Sequence, residues 1–272
     1  MDLTTVLGLG LGFGSMIIAI IVEGGGDVTE LLPFFTNISA WIIILGGTFG
    51  SSMLSSKMKD VQRIPKTLGR LFADVKLDHI SVIDTLTSLA EKARREGMIS
   101  LESDIEAIDN PMMAKGLRLV VDGTDPELVE AIMQTLLMQQ KNDATADATM
   151  FETLGGFAPT MGIVGTVMGL VGALKRMSAS GQEKTIEALA VAFIATFWGI
   201  GTANLLFLPL CNKIRSRWRD EMIMGQIIIE GIMSIQAGNN PRIVRDRLLS
   251  YLPLEEVAAA EAAEGGAKGG RE

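Results

Sequence analysis

Hydrophobic and polar positions separate into long blocks along this chain. Four stretches, residues 3–22, 31–54, 154–174 and 186–211, are apolar, with acidic side chains only at their edges. Each reaches the roughly 20 residues that a membrane-spanning helix needs. Between the second and third blocks the pattern becomes that of amphipathic helices. In DHISVIDTLTSLAEKARREG, Ile83, Leu86, Ala90 and Ala93 recur at spacings of three and four, and Gly97 supplies a stop. Leu101, Ile105 and Ile108 repeat that spacing on a second amphipathic turn. Asn110-Pro111 and Asp125-Pro126 each read as a cap and a first helical residue, with Asp122-Gly123 as the turn between them. From 127 to 174 the only proline is Pro159, so the third span is expected to begin as a long helix outside the membrane. After the fourth block, NKIRSRWRDEMIMGQIIIEGIMSIQ prolongs the helix and NNPRIVRDRLLSYL forms a short capped one. The last stretch, EEVAAAEAAEGGAKGGRE, is of low complexity and is expected to be disordered.

This pattern predicts an all-α integral membrane protein. Four transmembrane helices enclose a helical cytoplasmic domain between the second and third, and the long third and fourth helices extend into the cytoplasm. The expected segments are 1–54 for the first two spans, 55–153 for the cytoplasmic domain and 154–211 for the last two spans. C-terminal cytoplasmic helices follow over 212–254 and a tail over 255–272. The first block lacks a basic leading region and an A-x-A-like cleavage site, so it reads as a retained helix rather than a secretory signal.

Charge orients the chain. The EGGGDVTE loop between the first two blocks is acidic, whereas Lys57, Lys59, Arg63, Lys66 and Arg70 follow the second, and Lys213, Arg215, Arg217 and Arg219 follow the fourth. By the positive-inside rule both flanks, and both termini, are expected in the cytoplasm. Lys175, Arg176 and Lys184, beside Glu183, point the other way and are outvoted by those two clusters. Composition narrows the functional classes. A net charge of −8 argues against nucleic acid as a partner. A single cysteine, Cys211, and a single histidine, His79, exclude an internal disulfide, a thiolate metal cluster and a multi-histidine metal site. There is no Gly-Lys dipeptide for a P-loop and no nucleophile–base pair, so neither an enzyme nor a tightly bound cofactor is expected.

Small residues organise the spans. Gly8, Gly10, Gly12 and Gly14 give overlapping G-x-x-x-G spacings in the first, the signature of close helix approach in lipid. In the third, Gly162, Gly165, Gly169 and Gly172 form one stripe, flanked by Thr166 and Pro159; in the fourth, Ala188, Ala192, Ala195, Gly199 and Thr202 form another, flanked by Thr196. Two readings fit. The helices pack on each other while the hydroxyls bond back to their own helices, or the stripes form a seam along which another helix slides while the hydroxyls serve a passing cation. Proton and sodium pathways use an intramembrane acid, and no span core holds one. If ions move here, the titrating carboxylate belongs to another chain. Pro159 and Pro209 each remove a helical hydrogen bond and are natural hinges. Outside the spans, Lys92, Arg94, Arg95, Glu96 and Glu102 in EKARREGMISLE flank a helix–turn–helix corner, either a solvated face or a docking surface.

The motifs MDLTTVLGLGLGFG, IIILGGTFGS, ARREGMISLE, FAPTMGIVGTVMGLV, AFIATFWGIGTANLLFLPL and EGIMSIQAGNNPRIV occur in order over nearly the whole chain. Together they resemble the MotA/PomA family of flagellar motor stator subunits. The resemblance implies a bacterial inner-membrane subunit forming a pentameric ring around two copies of a single-span MotB/PomB-type partner, which supplies the intramembrane aspartate. It implies that ion flow at that interface drives torque on the rotor protein FliG. The family's rotor-facing charges then fall on Arg94 and Glu102, with Arg95 beside them, and its mechanistic prolines on Pro159 and Pro209. Threonine at 166 and 196 resembles sodium-type members. Ala195 departs from their paired threonines, and Asn37 stands where some carry an acid. Sodium is therefore the expected ion and the proton the alternative. Two other classes remain: the energiser of a TonB- or Tol-type envelope system, against which the first block and the ARREGMISLE corner argue, and a non-conducting membrane scaffold.

Overall fold

A computed structural model describes residues 3–73, 77–180 and 182–258, without the side chains of 176–180, 182–184 and 187. Arg176, Glu183, Lys184 and Glu187 therefore lie outside the described side chains, and residues 259–272 of the acidic tail lie outside the described residues. Every regular element among the described residues is helical. They are α1 (Leu3–Glu23), α2 (Leu32–Thr36), α3 (Ile38–Trp41), α4 (Gly47–Leu54), α5 (Met58–Phe72), α6 (His79–Glu96), α7 (Glu102–Ile105), α8 (Pro111–Val121), α9 (Pro126–Ser180), α10 (Gln182–Thr202), α11 (Leu208–Gln236) and α12 (Pro241–Leu249). Three helices are long and apolar enough to cross a membrane, and a bent pair makes a fourth by length and composition. The loop expected around 175–185 is mostly absorbed into helix, since α9 runs to Ser180 and α10 starts at Gln182.

Two compact units are each drawn from separated stretches of chain. The first takes Met1–Val75 and Ala144–Ser216, the second Lys76–Asp143 and Arg217–Glu272. The sequence segments follow expected membrane boundaries, a different criterion, so the segment 55–153 is shared between the units.

In the first unit, α1 buries none of its own residues and passes close to the fourth span at small positions. A Cβ on Gly12 would meet Leu205 at 2.9 Å, and one on Gly201 would meet Met16 at 2.9 Å. The second span is bent by 46° between its halves Val28–Thr36 and Ile38–Leu54. Asn37 makes the break tolerable: its side-chain oxygen caps α3 by accepting from Ala40 N at 3.2 Å and from the Ser39 hydroxyl at 2.9 Å. At the start of this span Asp27 caps the 3-10 turn Val28–Leu31, and the backbone N–H and hydroxyl of Thr29 hold its carboxyl below the usual carboxylate range. Wide π turns interrupt the second span at Ile42–Gly46 and the fourth at Ala203–Phe207. The second of these ends just before Pro209, whose ring cannot continue the ordinary ladder. Beneath them, Leu71, Phe151, Leu154, Ala158, Phe207 and Ile214 belong to one buried cluster.

The second unit is built around a hydrophobic core. The periodic residues Ile83, Leu86, Ala90, Ala93, Leu101 and Ile105 are all buried in it, together with Leu117, Met133, Ile228, Ile232 and Leu248. The caps read from the sequence are in place. Asn110 accepts from Met112 N and Met113 N, Asp125 from Glu127 N, and Asn240 from Arg242 N. Gly97 and Gly123 hold φ of +85° and +72°, the conformation that makes each a helix stop. Helix extends over residues 254–258, where the tail expected to be disordered begins. The physical reason is burial: Val257 packs against the core, and Glu256 approaches His79 Nδ1 at 3.8 Å.

Candidate functional site

The third and fourth spans meet with almost nothing between their backbones. A Cβ on Gly199 would lie 2.6 Å from Ala158 O and 2.9 Å from Gly162 Cα; one on Gly162 would lie 2.8 Å from Ala195 O. Gly165 faces the Ala195 methyl at 2.7 Å, and Gly169 faces Ala192. Such contacts require that one facing residue lack a side chain and the other carry at most a methyl, which is why glycine on α9 opposes alanine or glycine on α10. Gly172 is different. It continues the same stripe, yet nothing lies within 4 Å of a Cβ built there. It borders an open cavity of about 600 Å³ between the second half of the second span, from its break at Asn37, and α9 and α10, whose lining includes Asn37, Ile43, Gly169 and Val191. A helical stripe sets a direction, not the length over which a neighbour stays close.

Close approach at Gly162 and Gly199 brings the flanking hydroxyls together. Thr166 Oγ1 and Thr196 Oγ1 are 2.5 Å apart. Thr166 Oγ1 is also within donating reach of Gly162 O and Ala192 O, each at 3.2 Å, and Thr196 Oγ1 of Gly162 O at 3.2 Å, so the two hydroxyl protons are shared among these acceptors. Both threonines are half-buried. Four oxygens, two hydroxyl and two carbonyl, thus share one small volume inside an apolar helix pair. Among the described residues no group of three or more His, Cys, Asp or Glu is disposed to hold a metal ion. The chemistry available is that of neutral oxygen donors, which suit a hard cation better than a transition metal.

The two prolines come near one another through their neighbours. Pro159 lies inside the unbroken α9 and leaves Gly155 O without its usual donor. A Cβ on Gly155 would lie 2.6 Å from Leu208, the residue before Pro209. Pro159 is half-buried and Pro209 exposed.

Sequence reasoning missed two tethers in this unit. Asn37 Nδ2 donates across the fold to Val191 O at 3.1 Å, one residue from the carbonyl that Thr166 uses. Trp198 Nε1 donates to Phe34 O at 2.6 Å. The only sequence signal was an amide within an apolar block and an indole, a ring whose N–H seeks a partner when buried. Both bonds hold the second span against α10.

In the second unit, Arg94, Arg95 and Glu102 are exposed around the Gly97 corner, together with Ile99. Arg95 pairs with Glu91 at 2.5 Å within its helix, and Lys92 pairs with Asp104 at 2.7 Å, bracing the corner. The structure therefore separates a bracing pair, Lys92–Asp104, from the outward charges Arg94 and Glu102.

Residues 104–227 match the MotA/TolQ/ExbB proton channel family. Motility protein A of Borreliella burgdorferi is 35% identical over 269 residues, spanning 98% of this chain and 100% of that one. Chemotaxis protein PomA of Vibrio alginolyticus is 31% identical over 253 residues, spanning 93% of this chain and 96% of its own. The flagellar MotAB stator complex from Bacillus subtilis contains a chain that superposes with a TM-score of 0.86 at 29% identity, covering 95% of this chain and 99% of that chain.

Proposed function

Because the chain belongs to the MotA/PomA family of flagellar motor stator subunits, we propose that it couples inward cation flow to torque on the rotor protein FliG. It does so as a pentameric ring in the bacterial inner membrane, with both termini cytoplasmic, around a MotB/PomB-type partner. The observation that carries this reading is the oxygen cluster of Thr166 and Thr196 in spans without a carboxylate. The partner's aspartate supplies the charge; this chain supplies neutral ligands and a smooth wall. A sodium ion reaching the aspartate is partly dehydrated and exchanges water for the hydroxyls of Thr166 and Thr196. Neutralisation of the aspartate lets the glycine–alanine face move past it, with Pro159 and Pro209 as the compliant points. One elementary charge crossing about 100 mV releases about 2.3 kcal/mol, several times RT. That biases a step without forcing a large rearrangement. Arg94, Arg95 and Glu102 then pass the motion to the rotor, and the subunit itself performs no covalent chemistry.

The test is swimming speed against sodium at fixed pH, in a host whose own stator genes are removed. Speed should rise with sodium, and Thr166→Ala should flatten that rise while the subunit still assembles. A wild-type speed indifferent to sodium but responsive to pH would replace the sodium assignment with the proton.

A further inference from the structure

Helix α5 directly follows the second span and carries charge in an ordered way. Lys59, Arg63, Lys66 and Arg70 are spaced four, three and four, so they share one stripe. The opposite side holds Ile64, Leu68 and Leu71, which pack into the first unit's core. The stripe is not uniform in its use. Arg63 pairs with Asp147 of α9, Nε to Oδ1 at 3.1 Å, and the Thr67 hydroxyl donates to the same carboxylate at 2.8 Å. That network pins α5 and fixes which way its outer edge faces. Lys59 and Lys66 are exposed and hold no ion pair or hydrogen bond among the described residues. They lie seven residues apart, about 10 Å along the helix, with Asp60 as the only acid on α5.

Beside this stripe the chain leaves apolar side chains uncovered. Leu54, at the end of α4, is 92% exposed, and Met58, at the start of α5, is 61% exposed. In water that placement is unfavourable; at the edge of a bilayer it seats apolar groups in the acyl region and ammonium groups among phosphates. We propose that the outer edge of α5 binds the anionic phospholipid headgroups of the leaflet at which the second span emerges, through Lys59 and Lys66. The lipid then holds the end of the second span at a set depth, and Arg63–Asp147 passes that constraint to α9. The proposal concerns lipid recognition and stands whether or not the subunit conducts ions.

The full-length protein in neutral detergent is titrated with phosphatidylglycerol and, separately, with phosphatidylcholine, and bound lipid is counted by native mass spectrometry. Phosphatidylglycerol should be retained preferentially. The double variant Lys59→Gln/Lys66→Gln should weaken its apparent affinity about 25-fold, at about fivefold for each lysine near an anionic surface. Lys115→Gln, exposed in the second unit, should change nothing. Lys59→Arg/Lys66→Arg should bind as the wild type, and its failure to do so counts against the proposal. Equal retention of the two lipids, undiminished binding by the glutamine variant, or displacement by soluble glycerol phosphate at matched concentration each overturns it. The last outcome would mark a free-phosphate site instead of a bilayer contact.

Discussion

Replacing Gly199 by alanine probes the seam between the third and fourth spans most directly. The added methyl would lie 2.6 Å from Ala158 O and 2.9 Å from Gly162 Cα, against 3.4 Å for ordinary contact, a shortfall of about 0.8 Å. Both obstacles are backbone atoms of α9, so no side chain can rotate away. The helices must separate or the strain must remain, and overpacking of this kind costs about 1–3 kcal/mol. Separation has a second consequence. Thr196 reaches Gly162 O at 3.2 Å; a displacement of about 0.8 Å carries it past hydrogen-bonding range. Gly199→Ala should therefore lower the thermal midpoint of the purified subunit and flatten the sodium dependence of swimming together. Gly172→Ala is the internal control. Nothing lies within 4 Å of its Cβ, and alanine is favoured over glycine in a helix by roughly 0.5–1 kcal/mol, so its midpoint should hold or rise. If Gly199→Ala proves as stable as the wild type while Gly172→Ala is destabilised, the packing assignment is wrong.

Other perturbations separate structural from functional roles. Asp147→Ala removes the acceptor of both Arg63 and Thr67, and with the Asp147 side chain only 11% exposed the cost is about 2 kcal/mol; a double-mutant cycle with Arg63→Ala should show strong non-additivity, and simple addition would contradict the shared network. Asn37→Ala loses the α3 cap and the bond to Val191, a destabilisation of about 1–2 kcal/mol in denaturation, whereas Asn37→Asp keeps the cap and should lose less. Arg94→Glu should abolish torque measured on tethered cells with ion conduction and melting unchanged; loss of conduction would contradict a rotor-facing role.

Much of the fold was legible because it rests on local rules. Asn110, Asp125 and Asn240 cap the helices that their following prolines announce, and the glycines at 97 and 123 stop them through positive φ. The break in the second span was less legible, since an asparagine in an apolar block signals a cost without naming its remedy. That remedy is a carbonyl 154 residues away in sequence. Disorder was expected from Glu255, yet residues 254–258 are helical because Val257 finds a hydrophobic core that no local pattern displays.

The sequence by itself determined the four apolar lengths, the capped amphipathic helices and the stripes of small residues, because lipid thickness, hydrogen-bond closure and the 3.6-residue turn act within one segment. It also determined that no acid lies in the span cores. Only the tertiary structure decided that Gly162 and Gly199 touch while Gly172 stands open, and that Thr166 and Thr196 face each other 2.5 Å apart. A periodicity assigns residues to a face; which neighbour meets that face, at what distance and for how many turns, is set by the simultaneous packing of helices distant along the chain.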